Sequence, residues 1–77
     1  MHVDVIRERV RAEPFQSFTL RLADGRAFPV PHPDFIAVSR RQVLHVAPET
    51  EAVTRIDPLM VVSLDEAPEP SEPGNPP

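Results

Sequence analysis

Val3, Ile6 and Val10 fall at i, i+3 and i+7, one face of a helix, while Arg7, Glu8, Arg9 and Arg11 take the other side. Asp4 is placed to cap this helix or to sit in its first turn, where a negative charge is favourable. Glu8 and Arg11 stand at i, i+3 and are spaced to pair. Pro14 disfavours helical geometry at Glu13, so the helix ends near Ala12. So short a helix is marginal alone and needs a surface for its Val/Ile stripe.

The next segment supplies that surface. Phe18, Leu20 and Leu22 alternate with Thr19 and Arg21, and Phe28 and Val30 alternate again after Ala23-Asp24-Gly25. Turn length fixes the register. A two-residue Asp24-Gly25 turn pairs Arg21 with Phe28 and throws the two apolar sets onto opposite faces. A three-residue loop with Gly25 in left-handed geometry sets Leu20 opposite Phe28 and Phe18 opposite Val30. One shared apolar face selects the second arrangement, a bulged hairpin. Pro29 then points outward, where a missing N–H is tolerated.

Pro31-His32-Pro33-Asp34 reads as a stiff corner. Further extended segments follow at 35–38, 43–46 and 53–56, separated by polar turns at 39–42 and 48–51. Asp57-Pro58-Leu59-Met60 reads as one helical turn, with Asp57 as cap and Pro58 at its first position. Val61-Val62-Ser63-Leu64 closes the chain as a last strand. This order predicts a mostly β domain with one N-terminal helix, folded as a small, bent, five-strand antiparallel barrel of SH3-like or Sm-like type. The domain spans residues 1–66.

Residues 67–77 contain five of the eleven prolines, Glu69, Glu72 and no large apolar side chain. They are expected to form a disordered, acidic, Pro-rich tail. Asp65, Glu66, Glu69 and Glu72 carry the whole net charge of −4, since residues 1–64 hold eight arginines against eight acids. A neutral body lacks the basic field of a nucleic-acid binder. The 77 residues contain no cysteine, which excludes a disulfide framework and a thiolate zinc site. No apolar run approaches the roughly 20 residues a bilayer needs, and no leader is visible, so a cytoplasmic protein is expected. Arginine is the only basic residue besides histidine, among many Ala, Pro and Val, which suggests a bacterial source.

Two resemblances arise from these residues. Pro14-Phe15-Gln16-Ser17-Phe18, Asp24-Gly25-Arg26 and Val30-Pro31-His32-Pro33-Asp34 resemble a family of small uncharacterised bacterial proteins sharing a PF-x-x-F, DGR, V-x-HP-acid pattern. That resemblance transfers no catalytic or binding residue. The order of elements is similar to the Sm-like fold of bacterial RNA chaperones, which implies edge-paired rings and RNA binding. Where such chaperones carry a basic-histidine segment, this chain reads Arg55-Ile56-Asp57-Pro58.

Candidate chemistry is sparse. His32, Asp34 and His45 hold two imidazoles and a carboxylate, the makings of a metal site and a metal-dependent activity. The competing reading makes the first two part of a rigid corner and sets His45 half-buried beside Ile36. Arg21, Arg26, Arg40 and Arg41 lie at or near turns, where they either bind phosphates or an acidic partner or are simply solvated. Phe15 is a plug between helix and sheet or an exposed anchor for a partner. No serine lies in a nucleophile elbow, and no glycine-rich loop exists to cradle phosphate. The resulting expectation is a non-enzymatic module without catalytic residues, metal or cofactor. It binds a protein partner or itself, with Phe15, Arg21, Arg26, Arg40 and Arg41 as candidate contacts; an RNA-binding ring is the alternative, and no membrane partner is expected.

Overall fold

The computed structural model describes residues 1–66; the expectation of a disordered tail lies outside them. The helix, α1, runs Val3–Arg11. Its cap is His2, whose Nδ1 accepts the Asp4 N–H at 3.1 Å. Asp4 therefore takes the second of its two expected places, in the first turn, and accepts from Arg7 at 2.7 Å. Glu8 makes no ion pair with Arg11; Arg9 instead reaches Glu66. The expected stripe faces inward: Val3 and Ile6 are buried and Val10 packs half-buried against the core.

Six strands follow: β1 Phe18–Leu22, β2 Ala27–Val30, β3 Ile36–Val38, β4 Val43–Val46, β5 Val53–Ile56 and β6 Val61–Glu66. They form two three-stranded antiparallel sheets, ordered β2-β1-β6 and β3-β4-β5. The expected closed five-strand barrel is thus corrected in both count and closure. All six extended segments named from the sequence form strands, so five is one short; the physical reason for the lack of closure lies at the proline corner. Pro31 and Pro33 lack the N–H a ladder requires. His32 Nδ1 also accepts the Asp34 N–H at 3.3 Å and nucleates a 3₁₀ turn, Pro33–Phe35. This turn takes Phe35 out of the third strand, which begins at Ile36, and separates β2 from β3.

The β1–β2 register agrees with the pattern argument: Leu20 faces Phe28 and Phe18 faces Val30. The Leu22 N–H donates to the Arg26 carbonyl at 2.9 Å, the Gly25 N–H donates to the Leu22 carbonyl at 3.0 Å, and Gly25 takes φ +95°. A left-handed backbone at this point is the reason for a glycine. On the other side of β1, the register slips between Arg21 and Leu22. The irregularity matters because positions 61 and 64 of a regular strand face opposite ways. With the slip, Val61 sits opposite Leu22 and Leu64 opposite Leu20, both against the core, while Val62 faces solvent.

The core lies between the sheets and under α1. Ile6, Phe18, Leu20, Leu22, Val30, Ile36, Val43, Ile56 and Val61 form it. His45 does pair with Ile36 on β4, but it is 2% exposed, not half-buried. Its Nε2 donates to the Pro29 carbonyl at 2.6 Å, tying the second sheet to the first. Pro29 lies opposite Thr19, between the hydrogen-bonded pairs of the hairpin. Its carbonyl therefore points away from β1 and is free to accept.

Candidate interaction surface

The candidate residues do not form one site. Phe15 leans on Phe18, with ring centroids 6.0 Å apart, and is half-buried between α1 and β1. Arg21 is paired with Asp65 across β1 and β6. Arg26 is paired with Asp24 at 2.8 Å and lies 5.5 Å from the centroid of the Phe28 ring. These two guanidinium groups are already neutralised within the first sheet. Arg40 and Arg41, exposed on the turn between β3 and β4, form no ion pair among the described residues. Arg41 shares a shallow depression with Arg55. Among the described residues, Arg11, Arg40, Arg41 and Arg55 form no ion pair, and the last three lie toward one end of the second sheet.

His32 and Asp34 stand 3.5 Å apart at the exposed corner, and His45 is buried on β4 with its Nε2 committed to Pro29. Among the described residues, no three His, Cys, Asp or Glu side chains are placed to hold a metal ion.

The Asp24 carboxylate is locked into the first hairpin. The Arg26 N–H, 3.0 Å from Oδ1, holds its pKa below the ordinary value of 3.8, and the Arg26 guanidinium acts in the same direction. The folded pKa is the lower one, so the stabilisation is complete above the unfolded value and fades as pH falls through the folded value. The urea midpoint of wild type should therefore fall relative to Asp24→Asn only below about pH 4. A carbon-13 titration placing the Asp24 carboxyl at or above its ordinary value would remove the basis for this.

The sequence pattern does not single out which apolar side chains stay in water. Leu59 is 82% exposed, Val53 65% and Val62 59%, and Leu44 is also exposed. Alternation along β3, β4 and β5 turns Ile36, His45, Thr54 and Val43 inward and leaves Ala37, Leu44, Val46 and Val53 on the outer face of the second sheet. Only Arg55 interrupts that face with charge. A sequence signal existed: Val43-Leu44-His45-Val46 carries apolar residues in both phases, more than one buried face accounts for. Among the described residues, the outer edges of β5 and β6 are unpaired.

A cleft of about 310 Å³ opens beside Pro29. Phe28, Pro29, Ala47 and Pro48 wall it, His45 forms its floor and Glu49 its rim. The His45 ring meets Phe28 edge-on at 5.1 Å. No helix among the described residues is long and apolar enough to cross a membrane. No protein-family model, curated protein or solved structure matches the chain.

Proposed function

We propose that the chain is a non-enzymatic interaction module that assembles with protein, in the first place with copies of itself. The observation that carries this reading is the apolar outer face of Leu44, Val46 and Val53 on a sheet whose β5 edge no strand of the described residues pairs. Soluble domains seldom leave a contiguous apolar face and an open ladder together, because both invite a partner. The likeness to an opened SH3-like or Sm-like barrel belongs to the same proposal. It is supported by the order β6-β1-β2 followed by β3-β4-β5, with β2 and β3 joined directly through the proline corner. A bacterial setting belongs to the proposal on the strength of the composition, in which arginine replaces lysine throughout.

Light scattering coupled to size exclusion tests the proposal. The mass should rise above the 8.6 kDa of one chain between micromolar and millimolar concentration, and Val53→Asp should push that rise to higher concentration. A particle that stays at one chain throughout refutes the reading. A second reading, phosphate or RNA binding, is favoured by the unpaired Arg40 and Arg41 beside Arg55. It requires binding of a short single-stranded RNA that weakens steeply as salt rises.

A further inference from the structure

Leu59 is the most exposed large apolar residue, and the turn that carries it is built rigidly. Asp57 Oδ1 accepts the Leu59 N–H at 3.0 Å, Pro58 is buried beneath, and Met60 packs half-buried against the core. The side chain between two anchored neighbours is thereby held out. Arg40 and Arg41 line the same depression as Leu59. The result is an apolar knob flanked by two guanidinium groups that form no ion pair among the described residues, with the nearby Asp57 carboxylate committed to the Leu59 N–H.

The complementary feature stands at the other end of β4. The turn that presents Arg40 and Arg41 enters this strand at Val43, and the turn that presents Glu49 leaves it after Val46, roughly 10 Å away. There the cleft offers apolar walls of Phe28, Pro29, Ala47 and Pro48. Glu49 and Glu51 are exposed beside it and form no ion pair among the described residues. Hydrogen bonds from the Glu51 N–H to the Ala47 carbonyl, 2.8 Å, and from the Ala47 N–H to the Ala52 carbonyl, 2.9 Å, hold this rim in shape.

Resting on the self-assembly reading, we infer that Leu59 of one copy seats in the Phe28–Pro48 cleft of the next, with Arg40 and Arg41 facing Glu49. Both halves of the contact match: an exposed apolar knob against an apolar cleft, and unpaired positive charge against unpaired negative charge. The two surfaces differ, so the contact is head-to-tail. It repeats in one direction, closing into a ring or running on as a filament. The apolar centre supplies most of the affinity, and the charged rim sets register and excludes the reversed docking.

Sedimentation velocity on the full chain tests the contact. Leu59→Asp should weaken association roughly thirtyfold, the scale of a central interface residue. The doubly substituted R40E/R41E chain and the Glu49→Arg chain should each associate poorly, because each sets like charges face to face. Mixed in equal amounts they should assemble again, since each then meets the opposite charge. All these side chains are exposed, so thermal melts should stay close to wild type. A wild-type chain that never associates overturns the assembly reading itself. A wild-type chain that associates while the variants keep its affinity, or a mixture that stays dissociated, overturns this contact alone.

Discussion

Phe18→Ala should abolish the cooperative unfolding transition of the whole domain. Phe18 is 1% exposed at the start of β1, the central strand of the first sheet, where it faces Val30 on one side and Glu66 on the other. Replacing a buried phenylalanine by alanine costs about 3–5 kcal/mol, the lost transfer energy plus the cavity left behind. A core drawn from about 66 ordered residues supplies a net stability of the same size, about 3–5 kcal/mol. The substitution also strips Phe15 of the ring it leans on, which loosens the attachment of α1. Urea titration followed by far-ultraviolet circular dichroism should give a broad, non-sigmoidal curve, or a chain already unfolded without denaturant. A steep transition near the wild-type midpoint would mean that the first sheet does not depend on this side chain.

His45→Ala should be the costliest polar substitution, at about 2–3 kcal/mol. Two losses combine. The imidazole fills the space between Phe28 and the second sheet, and its Nε2 makes the bond that joins β4 to the outward carbonyl of β2. His45→Leu separates them. Leucine restores most of the volume but makes no hydrogen bond, so the loss should shrink to about 1 kcal/mol. The comparison is read from urea midpoints at constant slope. If leucine proved as damaging as alanine, the bond to Pro29 would outweigh the packing. If leucine matched wild type, the bond would contribute nothing measurable.

Pro29 links this prediction to the sequence argument. The sequence pattern makes proline tolerable there because the strand position is an outer one. The structure agrees and gives the position a second use, because the carbonyl that points away from β1 becomes the acceptor for a side chain 16 residues along the chain. Nothing in the local pattern of Ala27-Phe28-Pro29-Val30 reveals that partner. The same holds for Arg21 with Asp65 and for Arg9 with Glu66, which lie 44 and 57 residues apart in the chain. Arg21 therefore read as a free turn charge when it is a cross-strand partner. Arg40 and Arg41 keep their expected exposure, and they form no ion pair among the described residues.

The two caps show the limit of residue preference. His2 and His32 each accept the N–H two residues on, a place more often held by Asp, Asn, Ser or Thr. At 2–4 and at 32–34 the chain reads His-x-Asp, and in both places the imidazole caps while the carboxylate occupies the first turn. A repeated local structure thus accounts for the His32-x-Asp34 pair that first suggested metal chemistry.

Local pattern alone determined the helix and its buried stripe, the strand segments and the register of the first hairpin. Each depends on neighbours within about ten residues, where periodicity and turn length leave one arrangement that buries a single face. Tertiary structure decided the division into two sheets, the burial of His45, the slip that turns both Val61 and Leu64 inward, and which apolar side chains remain in water. Those outcomes depend on which distant segments meet. A strand apolar on both faces, such as β4, has no alternation to say which side the rest of the chain will cover.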